Sequence, residues 1–328
     1  NETTRNSLPR RWVTAKTLPP RKPSGPLSDI RIALDPGHLG GQWAKMEERW
    51  FQVNGSPPVQ EGDMTLQVAQ ILAPRLQALG PKVALVRVNL EPLPARRRTD
   101  FEQLAKKILE KGGFANPRED FEGPADPEKE HTVRWQTELL FYRNSEIRRR
   151  AKIVNTRLRP DLVLCLHFNA EAWGDPKNPT LVEKNHLHAL VNGAYLPAEL
   201  ELDDERFEMI RRLLSRAYDE EIGLAEKVTQ KLAVKTGLPA YEYVTDNVTK
   251  VGASGYVYAR NLMATRLYVC PVVYLEPYVM NSREVFARVQ AGEYEGVQTI
   301  EGKERPSIFN EYVDGVVAGL LAYSKARP

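Results

Sequence analysis

The sequence predicts an α/β fold with a parallel sheet, and three short apolar runs predict it. Ile30-Arg31-Ile32-Ala33-Leu34 leads through Asp35-Pro36-Gly37 to His38. Asp161-Leu162-Val163-Leu164-Cys165-Leu166 leads to His167 and the turn Phe168-Asn169-Ala170. Val272-Val273-Tyr274-Leu275 leads to Glu276-Pro277. An apolar, β-favouring run that stops at a polar or Pro-Gly turn reads as a buried strand. Open α/β sheets place their sites at the carboxyl edge of such strands. Three strand ends would therefore bring two imidazoles and one carboxylate to a common edge, a set that can bind a metal and move protons.

The remaining elements fall around these strands. Residues 1–28 contain Thr, Arg and Pro without hydrophobic periodicity and are expected to be a linker or arm left by removal of an upstream segment. The polar loop 39–60, with Gly40-Gly41, Gly55 and Pro57-Pro58, is long enough to be functional. Asp63 can cap a helix carrying Met64, Val68, Ile71, Leu72, Leu76 and Leu79 on one face, kinked at Pro74 and ended by Gly80. A strand over 83–88 completes the first strand–helix–strand unit.

Residues 89–142 are rich in Pro and Gly and read as an insertion, with a basic run at Arg96-Arg97-Arg98 and a short helix over 101–111. A helix with Ser145 as N-cap and Ile147, Ala151, Val154 and Leu158 on its buried face feeds the His167 strand. A further strand is expected over 186–191, then one long helix over 203–236 or two broken near Gly223, stopped by Gly237-Leu238-Pro239. An irregular Tyr- and Gly-containing stretch precedes the Glu276 strand, and an amphipathic helix over 307–325 closes the chain.

Composition excludes several classes. A chain of 328 residues, 42% hydrophobic, can bury a full core as one large domain with insertions or two smaller ones. No apolar run approaches the roughly 18 residues that span a bilayer. A net charge of +3 argues against a dedicated nucleic-acid binder and is compatible with an acidic polymer substrate. Cys165 and Cys270, both in core strands, make neither a disulfide framework nor a thiolate zinc cluster, and they would pair only if the narrow Cβ geometry allowed it. No HExxH, GxSxG or Gly-rich phosphate loop is present, which argues against a zincin, a serine hydrolase and a nucleotide enzyme.

A catalytic zinc takes three protein ligands from His and Asp/Glu and leaves a fourth position open. His38 and His167 are the nitrogen donors, and Glu47, Glu48, Glu61 and Glu171 are the candidate carboxylates. Glu61 is preferred because it precedes a helix expected beside the first strand; Glu171, four residues from His167, is the second choice. Glu276 would be the proton carrier, the alternative being a Glu paired with a nearby Arg. His186 and His188 share one side of a predicted strand and with Glu183 could imitate a metal cluster, but one side of a half-exposed strand is the expectation. His131 lies in the insertion without an evident partner.

These residues, in this order, resemble the zinc-dependent N-acetylmuramoyl-L-alanine amidases of the amidase_3 type, which trim bacterial cell walls. The likeness runs through Ile32-Ala33-Leu34-Asp35-Pro36-Gly37-His38 with Gly40-Gly41, Glu61 with Leu66 and Ala69, Val83 to Arg87, and Arg150 with Asn155. It continues through Asp161 to Ala170 and Pro271 to Glu276, with Asn281 and Glu284 after it. The resemblance implies a mostly parallel, twisted sheet with helices on both faces, forming a single catalytic domain over 29–328. It implies His38, Glu61 and His167 as zinc ligands and Glu276 as the catalytic carboxylate, so it selects Glu61 over Glu171. It also implies an extracytoplasmic enzyme acting on peptidoglycan, with a protein activator as a possible partner.

Two departures accompany the resemblance. Leu39 follows His38 where the family usually has Gly, and segments 89–142 and 196–222 are extra material, able to form a lid, an activator-docking surface or plain elaboration. The competing readings are another zinc amidohydrolase or carboxypeptidase and a non-catalytic wall-binding module. Against the last stands the presence of all four expected side chains.

Overall fold

Alternation along the strands sets the two faces of the sheet. Ile32 and Leu34, Leu162, Leu164 and Leu166, and Val273 and Leu275 point into the larger core, while Ala33, Val163, Cys165 and Val272 point into a second one. This period of two is what a sheet covered on both sides requires. The computed structural model describes residues 25–28, 30–93 and 96–325. The arm expected over 1–28 lies, up to residue 24, outside the described residues.

The strands are β1 (Arg31–Pro36), β2 (Trp50–Phe51), β3 (Val59–Gln60), β4 (Lys82–Leu85), β5 (Leu162–Leu166), β6 (Leu187–Val191), β7 (Val248–Val251), β8 (Val257–Arg260), β9 (Val272–Pro277), β10 (Val297–Ile300) and β11 (Lys303–Pro306). Seven of them form the main sheet in the order β4-β1-β5-β9-β6-β8-β7. Pairs β1/β4, β1/β5, β5/β9 and β6/β8 are parallel, whereas β6/β9 and β7/β8 are antiparallel. The mostly parallel α/β sheet is therefore borne out, with an antiparallel junction at β6/β9.

The α-helices are α1 (Glu61–Gln77), α2 (Glu102–Lys111), α3 (Val133–Leu139), α4 (Ile147–Ile153), α5 (Asp203–Ser215), α6 (Tyr218–Thr236), α7 (Met263–Leu267), α8 (Arg283–Gln290) and α9 (Ile308–Lys325). Buried residues of α1, α6 and α9 cover the larger core, and those of α4 and α7 the other. Helices thus lie on both faces.

Several expectations are corrected. The first helix begins at Glu61 itself, and Asp63 is not its cap, because the Asp63 carboxylate instead accepts from the Gly41 amide at 2.8 Å. Pro74 sits inside this helix, which continues to Gln77. The strand expected over 83–88 is the shorter β4, and Arg87 beyond it is fully buried. Ser145 is no N-cap. The helical path starts at Val133, where the Thr132 hydroxyl accepts from the Trp135 amide, and runs through π-helical turns at Leu140–Glu146 and Val154–Leu158. The extension is stabilised by a small core of Val133, Leu140 and Phe141 against Phe101, Ala105 and Leu109 of the inserted segment.

The stretch 203–236 is two helices, and the break is at Arg216, in the left-handed region, rather than at Gly223, which lies within α6. A buried Arg212–Glu221 ion pair ties the two helices together. The irregular stretch before the Glu276 strand contains β7 and β8. Cys165 and Cys270 are both buried and free. His131 is not isolated: it bonds Glu128 at 2.9 Å and stacks on Phe114.

Candidate metal centre

Parallel pairing brings the strand ends into line. Pro36 of β1 stands opposite Leu166 of β5, and Leu166 opposite Leu275 of β9, so His38, His167 and Glu276 all emerge at one edge. Glu61, the first residue of α1, enters the same edge from the helix packed behind β1. Its Oε1 accepts from the Phe168 amide at 3.1 Å. Its side chain is only 1% exposed. Ligand atoms of His38, Glu61 and His167 all lie within 4.8 Å of one another.

The contacts inside this group set which ring nitrogens face the Glu61 carboxylate. His38 Nδ1 lies 2.6 Å from Glu47 Oε2. A carboxylate only accepts, so Nδ1 carries a hydrogen, and in the neutral imidazole Nε2 presents its lone pair. That Nε2 faces Glu61 Oε2 at 3.4 Å. With its neutral imidazole so placed the group could hold a metal ion, and the His–Glu–His donor set is compatible with zinc. His167 Nδ1 approaches Glu61 Oε1 at 3.0 Å and the Tyr274 hydroxyl at 2.9 Å, and its ring stacks on Tyr274.

The protonation states also suit ligation. Burial acts to raise Glu61, but His38 and the hydrogen bond and charge of His167 outweigh it and hold the carboxyl down at about 2. Burial draws His167 down to about 4, against the pull of Glu61. At neutral pH the pair is carboxylate and neutral imidazole, the forms a metal ligand must take.

A buried cationic frame holds the His38 loop. His38 itself has φ 52°, in the left-handed region that costs a non-glycine residue of order 1–2 kcal/mol. Its carbonyl accepts from Arg87 Nη2 at 2.8 Å and Arg150 Nη2 at 3.2 Å. Arg150 also donates to Pro36 O, Asp35 Oδ1 and Glu146 Oε1 at 2.6, 3.0 and 3.0 Å. Gly37 is required by close approach, because a Cβ there would fall inside the His167 imidazole.

Glu276 stands on β9 two residues beyond Tyr274, hence on the same face. Its side chain is 18% exposed. Burial first, and the Glu61 charge second, raise its carboxyl to about 8, with Arg49 and Arg260 opposing. No arginine pairs with it at salt-bridge distance among the described residues, and the His188 imidazole lies 3.8 Å from its Oε2.

The other candidate residues are engaged with other partners. Glu47 backs His38. Glu48 bonds Lys129 of the inserted segment, and Glu171 lies near Lys184 at 3.3 Å and His186 at 3.6 Å. Glu183 pairs with Arg283. His186 and His188 do share a face, but both are buried rather than half-exposed, because Tyr241 packs on both rings. Asn155 ties the Leu267 carbonyl and the Val269 amide, Asn281 binds the Glu171 amide, and Glu284 pairs with Arg305, so these are structural.

Three residues of the site were not singled out in the sequence. Arg49 Nε lies 3.7 Å from Glu61 Oε2 from within the long loop. Nothing local marks it. Arg260 ends β8, and Tyr274 could have been noticed from its i, i+2 relation to Glu276. Of the two extra segments, 89–142 packs beside the His38 loop where Phe101 and Phe141 meet Trp43 and Met46. The other is anchored at the opposite end of β9, where Arg212 of α5 donates to the carbonyls of Tyr268 and Cys270.

Solved structures with this arrangement of elements are known. The CwlD amidase from Clostridioides difficile, determined in complex with the GerS lipoprotein, superposes with a TM-score of 0.50 at 12% identity, covering 90% of this chain and 98% of that one. The chain has the fold of that amidase. The N-acetylmuramyl-L-alanine amidase Ami1 from Mycobacterium smegmatis aligns over 92% of this chain and 99% of its own at 15% identity and a TM-score of 0.47. The N-acetylmuramoyl-L-alanine amidase AmiC2 of Nostoc punctiforme gives 14% identity, 92% and 99% coverage and a TM-score of 0.44. No family model and no curated protein sequence matches the chain. At these identities the fold is what is shared, and the activity has to be argued from the residues of the site.

Proposed function

We propose that the protein is a zinc-dependent N-acetylmuramoyl-L-alanine amidase of the amidase_3 type. The reaction is hydrolysis of the amide between the lactyl group of N-acetylmuramic acid and L-alanine, which separates stem peptide from glycan in peptidoglycan. The observation that carries this reading is the convergence of His38, Glu61 and His167 within 4.8 Å at the edge where Glu276 emerges. The resemblance in motif order and the shared fold support the choice of substrate.

In this reading His38, Glu61 and His167 hold the ion, Glu47 and Tyr274 orient the two imidazoles, and Glu276 is the proton carrier. When bound, zinc supplies Lewis acidity toward the scissile carbonyl and acidifies a water to a pKa of about 7. A carboxyl raised to about 8 is matched to proton exchange near neutrality, and the cation's charge would bring it lower. Glu276 thus takes a proton during attack and returns it to the leaving L-alanine amine. Arg49 adds positive charge beside Glu61, which favours an anionic polymer at the mouth of the site.

The reading places the protein outside the cytoplasm with its substrate, with 29–328 as the catalytic domain and 1–28 as an arm. No helix among the described residues is long and apolar enough to cross a membrane. A protein activator is also proposed, the CwlD amidase having been solved with the GerS lipoprotein.

The test is zinc analysis of the purified chain beside Glu276→Ala, with both incubated on sacculi and the products read by mass spectrometry. Equal zinc in the two, with stem peptides bearing a free L-alanine amine released only by the parent, is the expected result. A released terminal amino acid would indicate a carboxypeptidase, and a parent that binds no zinc overturns the site.

A further inference from the structure

His188 stands directly opposite Glu276 in the antiparallel pairing of β6 with β9. Directly opposed residues project from the same face, so the two side chains are neighbours by construction of the sheet. Nε2 of His188 lies 3.8 Å from Glu276 Oε2, and the imidazole is 0% exposed. The Tyr243 hydroxyl sits 2.8 Å from the same Nε2, its ring perpendicular to the imidazole. Nδ1 has no hydrogen-bond partner.

A buried polar atom without a partner costs about 1–3 kcal/mol, which a leucine or phenylalanine filling this space would avoid. The position therefore needs a nitrogen for a reason other than packing. An orphaned buried N–H is rarer than an orphaned acceptor. The favoured tautomer accordingly leaves Nδ1 bare and puts the hydrogen on Nε2, which donates to the Tyr243 oxygen at 2.8 Å and turns its positive N–H edge toward the Glu276 carboxyl at 3.8 Å.

We propose that His188, backed by Tyr243, is the positioning residue of Glu276, holding its carboxyl toward the His38–Glu61–His167 centre. The inference rests on the amidase reading for the role of Glu276. Burial first, then His186 and Arg260, draw His188 down to about 3, so it stays neutral throughout the working pH range. A neutral imidazole dipole 3.8 Å away orients the carboxyl without the counter-charge that would fix it as a carboxylate. A guanidinium in the same place would deprive Glu276 of its ability to carry a proton near neutrality.

Two variants and one spectrum test this. His188→Phe keeps a ring and removes both nitrogens; His188→Gln keeps a donor near Nε2. With zinc content equal to the parent's, the Phe variant should lose about 10–100-fold in kcat on soluble muropeptides with KM nearly unchanged. The Gln variant should recover most of that loss. A Phe variant with parental kcat, or a Gln variant no better than Phe, overturns the proposal. Independently of turnover, the 15N resonance of His188 Nε2 in the metal-free protein should move on Glu276→Gln, and an unmoved resonance also overturns it. A parent that releases no stem peptide would defeat the amidase reading alone, because the nitrogen spectrum decides the His188–Glu276 contact without substrate.

Discussion

The Glu47 carboxylate binds both the side chain and the loop that present the first histidine. Its Oε2 lies 2.6 Å from His38 Nδ1 and its Oε1 accepts from the Leu39 amide at 3.0 Å. The contact fixes the tautomer and aims Nε2 at Glu61. Loss of such an outer partner typically lowers metal affinity about 10–100-fold. Glu47→Ala is expected to show that loss in a competition titration against a chromogenic chelator, and unchanged affinity would show that His38 is oriented by its backbone alone.

Gly37→Ala should be worse than an ordinary loop substitution. The added methyl would overlap the His167 ring, so either the ring or the β1 turn must move. Overpacking of this kind costs about 1–3 kcal/mol. Reduced thermal stability together with reduced zinc content is the expected pair of results, and parental values for both would mean that the turn yields freely.

Arg150 supports the site from below. Replacing it by Met leaves Asp35 and Glu146 buried without their guanidinium and frees the His38 carbonyl of one donor. Breaking a buried pair by removing one partner costs about 3–5 kcal/mol. Urea unfolding should show this, and Asp35→Asn in the Arg150→Met background should restore part of the stability.

Acid stability follows from the depressed histidines. His167, at about 4, and His188, at about 3, bind their protons less readily in the folded chain than in the unfolded one. Their stabilising effect is complete above the ordinary histidine value and is lost as pH falls from about 6.5 toward those lower values. For the metal-free protein the loss between pH 6.5 and 4.5 should be on the order of 2–4 kcal/mol, and His188→Phe should remove part of it. Glu61 adds a later loss, present above about 4.5 and disappearing toward 2. A melting temperature independent of pH from 6.5 to 4.5 would contradict both assignments.

Zinc should stabilise the folded chain in proportion to its occupancy. At a free concentration a hundredfold above Kd the gain is about 2.7 kcal/mol. Calorimetry with and without zinc should show it in the parent, and His167→Ala should abolish it.

The legible parts of the molecule were those with a local signal. The runs ending at His38, His167 and Glu276 were recognisable because a buried strand and its terminal turn are written in consecutive residues. The closing helix and α2 were legible for the same reason. Ser145 was misread because the preceding insertion hid the buried residues Val133, Leu140 and Phe141, whose partners lie in α2. β7 was missed because a short edge strand of exposed and half-buried residues carries no clear alternation, and β8 because four residues, three of them buried in succession, show no period of two.

The sequence by itself determined which side chains stand at which strand ends, since backbone periodicity and turn chemistry depend on neighbours along the chain. It also named His38, Glu61, His167 and Glu276 as the set to watch. Only the tertiary structure decided how they are served. Glu47 becomes the partner of His38, Arg87 and Arg150 cap its carbonyl, and Glu171 is drawn away to His186. His188 faces Glu276 because β6 runs antiparallel to β9 in that register. Strand direction and register follow from packing across the whole sheet, and packing joins residues far apart in sequence that no local pattern connects.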